Sequence, residues 1–213
     1  MKTIKTALTI FILSVLWACT SPVTFNEPQP VGTDNLSRIP KRIQGRYLSL
    51  ADSSAIIIND NLIQRIYDFY EKMDPKRLDS NLKLSGDTLI DIYTKEASLV
   101  KQEGDSIIRH IVYNDTLFKI SDEHVLRKSK GYYFLNIRYD KDSWKVSKVE
   151  LSKGALTISN ISQKADLENL KEITENTQDT IPPYNFSPTK KQFKEFIRKG
   201  GFSETEKFVR LKK

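Results

Sequence analysis

The chain has very little of what most enzymes use for chemistry. Of its 213 residues only one is cysteine (Cys19), and only two are histidines (His110 and His124). A single cysteine cannot form a disulfide within the chain or supply a thiol redox pair. The eight glycines stand singly at turn-like positions apart from Gly200-Gly201, so there is no glycine-rich loop to cradle a phosphate. No apolar run reaches the roughly twenty residues that a membrane-spanning helix needs.

The two histidines give little support for catalysis. His110 lies in an alternating segment and shares a face with Ile108 and Val112, which is typical of a histidine satisfied within a core. His124 follows two acidic residues in a predicted turn, where we expect it to be exposed to solvent. Neither environment favours a general base.

A triad can be written from Ser106, His110 and Asp115, but neither the spacing nor any motif supports it. Two histidines fourteen residues apart, with scattered acids, also lack the spacing of a zinc site. Glycosidase chemistry needs only two carboxylates, so composition does not exclude it. A chain of this size with no sign of a wide cleft does not favour that chemistry. We expect no catalytic residue, no cofactor and no metal.

The N-terminal segment is the most specific signal in the chain. Lys2 and Lys5 precede an apolar run over 7–18, and Ala18 stands directly before Cys19. Leu16 stands three residues before the cysteine. This pattern resembles the lipobox of bacterial lipoprotein signal peptides. Trp17 departs from the small or β-branched residue usual there, which bears on how efficiently the segment would be cleaved.

The resemblance implies that residues 1–18 are a signal peptide and that Cys19 becomes a lipidated N-terminus. One acyl chain binds a membrane only marginally, whereas the two or three chains of this family anchor stably. Thr20 after the cysteine resembles an outer-membrane destination, and the absence of an acidic run favours a periplasm-facing domain. The chain also resembles envelope lipoproteins of Bacteroidetes, which implies no activity. An ordinary signal peptide and an uncleaved membrane helix are the alternatives.

Positive charge is concentrated at the C-terminus. The net charge is +7, and residues 189–213 hold nine cations against three acids, a net +6. The signal segment carries +2, which leaves 19–188 at −1. Such an end suits anionic headgroups, another envelope protein or an acidic envelope polymer, although a solvated helix face is the simpler interpretation. No nucleic-acid motif is present. The candidate contacts are Lys190, Lys191, Lys194 and Arg198.

Four segments follow from composition. After the signal peptide, residues 19–40 begin with the cysteine that the resemblance implies is lipidated. They contain four prolines and no apolar period, which predicts a flexible tether reaching about 60 Å. Residues 41–162 predict an antiparallel β-domain. Residues 163–213 predict a helical, basic extension that packs on this domain.

The β-domain is predicted to be a mainly β, antiparallel meander of about eight strands, either an open sheet or a small barrel. Turn-formers ahead of apolar pairs recur at 59–63, 86–90, 104–108 and 114–118. Residues 131–161 predict three strands, with a β-bulge near Ser147 or Lys148 where the apolar phase slips. Residues 61–73 fit both helical spacing and a strand, and the preceding turn favours the strand.

The C-terminal segment predicts one or two helices. Ala165–Thr174 is weakly amphipathic, and Ser187-Pro188 predicts the start of a second helix that ends at Gly200-Gly201. Phe193, Phe196 and Ile197 form its apolar face. Phe202–Leu211 is either a last strand or a tail.

These features favour a non-catalytic binding or accessory module of the envelope. The alternative is a small β-barrel that carries a hydrophobic ligand, with aromatic residues lining the cavity. An enzyme is the third hypothesis.

Overall fold

A computed structural model describes residues 23–52, 54–175 and 182–211. The described part is mainly β, with two α-helices and one short 3-10 turn at Pro75–Arg77. The helices are α1 (Lys164–Thr174) and α2 (Lys190–Arg198). The strands are β1 (Val23–Phe25), β2 (Asn35–Leu36), β3 (Gly45–Ser49), β4 (Ala55–Ile58), β5 (Leu62–Met73), β6 (Leu82–Ser85), β7 (Thr88–Asp91), β8 (Ala97–Glu103), β9 (Ser106–Lys119), β10 (His124–Ser129), β11 (Tyr132–Asp140), β12 (Ser143–Ser152), β13 (Ala155–Asn160), β14 (Tyr184–Phe186) and β15 (Glu204–Arg210).

The strands form one open sheet in the order β2-β10-β11-β12-β13-β15-β3-β4-β5-β9-β8-β7-β6. Every pairing along this path is antiparallel, while β1 adds beside β12 and pairs in parallel with β14. The predicted class, an antiparallel β-fold with two C-terminal helices, is confirmed. The predicted strand number of about eight was too low, because several strands have only two to four residues and are held by distant partners.

The main core fills the inside of a curled sheet. Its buried side chains come from nine successive strands of the order, from β10 round to β9, so the sheet must curve around them. Tyr47, Ile56, Phe118 and Phe208 are fully buried there. The interior of the curl is therefore occupied by the protein's own side chains.

A second core lies on the outer face, under the helices. Phe134 of β11 packs edge-on against Phe193 of α2, with ring centroids 5.3 Å apart, and Phe25 of β1 packs against the same ring at 5.9 Å. Phe196 and Phe202 complete this aromatic cluster. The two cores thus cover opposite faces of the central strands.

This two-sided burial corrects the predicted bulge near Ser147 or Lys148. The β11–β12 register runs without interruption from Tyr133↔Val149 to Arg138↔Trp144, and the shift lies at the hairpin end instead, between Arg138 and Asp140. Trp144 and Val146 are buried on the helix side, whereas Val149 belongs to the main core. The pattern of apolar residues shifts by one position because the first part of β12 is covered on the helix side and the later part on the side of the main core. The strand itself stays regular there.

Residues 62–73 form a single strand, which confirms the strand interpretation. β5 pairs with β9 along its whole length, and beyond the main sheet these two strands carry β6, β7 and β8. We call this projection, residues 67–113, the arm. A small cluster of Leu89, Val100 and Ile107 packs its tip.

Three of the four predicted turns lie between strands, but the turn predicted at 114–118 was wrong. Asn114 and Asp115 lie inside β9, opposite Ile66 and Arg65 of β5. The long run of hydrogen-bonded pairs between β5 and β9 outweighs the local preference of Asn114 and Asp115 for a turn.

Residues 23–40 differ from the flexible tether that we expected over 19–40. β1 is buried, Phe25 lies opposite Trp144, and Ile39 is fully buried. The side chain of Asn136 bonds both the backbone N–H and the C=O of Gln29. This proline-rich segment packs against the sheet because its few apolar residues are buried there and its backbone groups form hydrogen bonds with the sheet.

The C-terminal segment is also more than the helical extension that we expected over 163–213. After α2 the chain returns as β15, which lies in the middle of the sheet between β13 and β3. Of the two alternatives for residues 202–211, the strand is correct. The sheet is incomplete without it.

Candidate functional site: a basic groove

The groove is built on α2, whose ends are set by the sequence. Thr189 caps the helix and Gln192 bonds back to the Thr189 N–H in a capping box. The helix therefore begins at Lys190, two residues after the predicted Ser187-Pro188 start. At its other end, Gly201 N–H donates to Phe196 C=O and Gly200 N–H to Ile197 C=O, which is a Schellman motif.

The apolar face of α2 fixes the position of its basic face. Phe193 and Phe196 are fully buried in the outer core. Residues four apart lie on one side of a helix, so Lys190, Lys194 and Arg198 share a face that turns toward the β10–β11 hairpin.

Between α2 and that hairpin lies a groove of about 420 Å³. Its lining combines apolar side chains with four cations. The apolar lining comes from Pro30, Tyr132, Phe193 and Ile197, and the cations are Lys130, Lys190, Lys194 and Arg198.

The four cations differ in their partners. Lys190 donates to the backbone C=O of Gly32 at 3.0 Å, and Arg198 pairs with Glu195 at 3.1 Å. Lys130 and Lys194 are close neighbours, and the hydrogen bond and like charge of Lys194 lower the pKa of Lys130. An anion bound between the two side chains would relieve this repulsion between like charges.

The structure brings three of the four predicted contact residues, Lys190, Lys194 and Arg198, to the same groove. Their contact with a partner stays a prediction. Lys191 lies on the other side of α2, in a shallow depression with Glu172 and Glu175. Lys130 was missed, although a Lys-Gly turn before three aromatic residues was visible. Only the fold brings that turn to α2.

The groove lies beside the start of the described chain. Phe25 of β1 contacts Phe193 of α2, and Pro30, five residues later, lines the groove. Cys19, the predicted lipidation site, lies outside the described residues, four positions before Val23.

The catalytic candidates are not assembled. His110 is exposed on the arm, contrary to the predicted core position, with Nε2 2.8 Å from an oxygen of Asp68 and its ring stacked on Tyr70. Ser106 and His110 are four residues apart on β9, about 13 Å along a strand. Asp115 lies opposite Arg65 instead.

His124 begins β10 and is half-buried, in contrast to the exposed turn that we expected. Its Nδ1 lies 3.1 Å from the Lys119 C=O, and its ring stacks on Phe118. Among residues 23–52, 54–175 and 182–211 there is no group of three or more histidine or acidic side chains placed to hold a metal ion.

Neither helix of the described part has the length and apolar character to cross a membrane. Comparisons with protein-family models, with curated proteins and with solved structures gave no match.

Proposed function

We propose that this chain is a non-catalytic binding module of the bacterial envelope, anchored to the outer membrane through lipidated Cys19 and facing the periplasm. Its basic groove contacts anionic groups at the membrane surface. The observation that carries the proposal is the position of the groove, which lies beside the strand that follows the lipobox-like cysteine.

Covalent geometry limits the distance between anchor and domain. An extended chain spans at most about 3.6 Å per residue, so the four steps from Cys19 to Val23 cover no more than about 14 Å. The segment that follows is docked on the sheet. A lipid at Cys19 would therefore hold the domain, and the groove beside β1, close to the headgroups.

The charge of the groove suits that position. Each Lys or Arg near an anionic membrane surface contributes about 1 kcal/mol, and the attraction fades within a Debye length of about 8–10 Å. The apolar side chains that line the groove together with the cations give it an amphiphilic character, which matches the boundary between headgroups and acyl chains.

The alternative, a barrel that carries a hydrophobic ligand, has less support. Tyr47, Ile56, Phe118 and Phe208 fill the interior of the curled sheet. A carrier needs a cavity in that place.

The first prediction concerns the anchor. Cys19→Ser removes the acylated side chain, so the protein should leave the membrane fraction when cells are lysed and fractionated in high salt. Wild-type protein should stay with the outer membrane and incorporate radiolabelled palmitate. Unchanged membrane association of the variant in high salt would show that the lipoprotein assignment is wrong.

The second prediction concerns the groove. In the chain from Thr20 onward, which contains the described fold, Lys130→Asn with Lys194→Gln should weaken binding to vesicles containing phosphatidylglycerol at least tenfold. Two cations at about 1 kcal/mol each set this magnitude. Asn is chosen at position 130 because the φ of +50° there suits it.

Lys191→Gln is the matched control, because it removes one cation from the same helix on the side away from the groove. Equal losses for Lys191→Gln and Lys194→Gln would indicate unspecific basicity. No binding by the parent chain would exclude the membrane contact, and would leave an acidic protein or polymer as the ligand.

A further inference from the structure

Among the residues that the structure describes, none pairs with the outer edge of β5 in the arm. β4 pairs with β5 only as far as Ile66, which lies opposite Ala55. From Tyr67 to Met73, β5 pairs only with β9 on its other side. Along these seven residues of extended backbone, alternate residues thus present free N–H and C=O groups, and such an edge is a template for another strand.

The direction of these free groups follows from the β4–β5 turn. Asn59 N–H donates to the Leu62 C=O at 2.9 Å across that turn. Hydrogen-bonded residues alternate along an antiparallel strand, and the extra residue at the β5–β9 register shift, Leu117, is on β9. The even-numbered residues Asp68, Tyr70 and Lys72 therefore direct their backbone groups outward.

The sequence of this edge is complementary to itself. In an antiparallel pairing centred on Tyr70, Asp68 of one copy lies opposite Lys72 of the other, on both sides of the centre. Tyr70 lies opposite its own copy. Opposite charges placed across two strands stabilise pairing, and the symmetry is that of a two-fold dimer.

We propose that two copies of this chain pair edge to edge through β5, with the two-fold axis at Tyr70. The proposal goes beyond the membrane contact and does not depend on it.

The side chains around the axis are exposed and contact one another. Tyr70 is 71% exposed, and its ring stacks on His110 at 4.6 Å, while His110 contacts Asp68. On the opposite face, Phe69 is 47% exposed and would lie opposite Glu71 of the second copy. Glu71 is already neutralised by Arg109 at 2.6 Å, so this neighbour brings no free charge to Phe69.

Pairing would also strengthen the weakest part of the fold. Between the main sheet and the tip, the described part of the arm is a two-stranded ribbon of residues 67–70 and 110–113. Two-stranded ribbons are marginally stable in water. A second copy makes this neck four-stranded.

The free edge of β9 is a poorer template. Its register shift places Leu117 as an extra residue, and the neighbouring Phe118 is buried in the main core. A bulge disrupts flat pairing. The regular edge of β5 is therefore the one that we assign to the dimer.

A cysteine at the axis tests the dimer in the full-length chain in its membrane. Hydrogen-bonded partners have Cα atoms about 5.5 Å apart, within the range that disulfides accept. Tyr70→Cys should therefore give a disulfide-linked dimer on a non-reducing gel after mild oxidation. Val112→Cys is the matched control, because it is similarly exposed on the same face but one strand further from the axis.

The parent chain, whose only cysteine is Cys19, reports any link through Cys19 itself. The proposal is overturned if Tyr70→Cys stays monomeric, or if it crosslinks no more than Val112→Cys.

A charge exchange tests the register. In the Tyr70→Cys chain, Asp68→Lys and Lys72→Glu each place like charges opposite one another at two positions, which should lower the dimer yield roughly tenfold. The two single variants expressed together, and the double variant, restore opposite charges and should recover the yield. If neither recovers it, the Tyr70-centred pairing is wrong.

Discussion

At the scale of single residues, Asn136 does more for the fold than its position in a strand suggests. It is fully buried, and its Nδ2 donates to the C=O groups of Gln29 at 3.0 Å and Val125 at 3.1 Å. Its Oδ1 accepts from the Gln29 N–H. This one amide satisfies the backbone of the segment after β1, so it fixes that segment to the sheet.

We predict that Asn136→Ala lowers the free energy of unfolding by about 1–3 kcal/mol, because it leaves buried backbone groups of Gln29 unpaired. Chemical denaturation would measure the change, and limited proteolysis should cut more readily within residues 23–40. Asn160→Ala is the control, since Asn160 is half-buried and accepts one bond, from Ser147. Equal destabilisation by both variants would contradict this role.

From the sequence, only the part of the candidate site that lies on a single helix was predictable. Lys190, Lys194 and Arg198 are four residues apart, and that alone places them on one face. Lys191 had to lie elsewhere by the same rule. Lys130 was not predictable, because its approach to α2 depends on how the hairpin and the helix pack.

At the scale of elements, local signals predicted boundaries well where the local chain decides them. The turns at 59–61, 86–87 and 104–105 connect strands as expected. The end of α2 at Gly200-Gly201 is another such case, because a positive φ of +84° at Gly200 and a Schellman motif set it.

The two glycines that end α2 should respond differently to substitution. At Gly200 an added Cβ meets open space, so Gly200→Ala carries only the strain of positive φ, about 1 kcal/mol. At Gly201 an added Cβ would overlap the buried ring of Phe196, and displacing that ring adds about 1–3 kcal/mol.

We therefore predict that Gly201→Ala is the more destabilising substitution, although its backbone φ is the ordinary one. Thermal unfolding of the two variants would measure the difference. If Gly200→Ala proved the more harmful, the packing of Phe196 against this turn would not be as described.

At the scale of the whole molecule, sequence order predicted the class of the fold but not the order of its strands. β15 inserts between β13 and β3, and β1 joins β12 and β14 across more than a hundred residues. Pairings of this range leave no periodic mark in the sequence. Residues 23–40 were expected to belong to a flexible tether because the residues that they contact are also far away in the sequence.

The arm extends from the main sheet through a narrow neck in which β5 and β9 pair with each other. From Tyr67 to Met73, β5 extends about 20 Å at 3.4 Å per residue. A flexible linker of the same length would sample many distances and orientations, and it would lose conformational entropy whenever its end was bound. A hydrogen-bonded pair of strands limits the distance and orientation of the tip much more than such a linker, and pairing through β5 would limit them further.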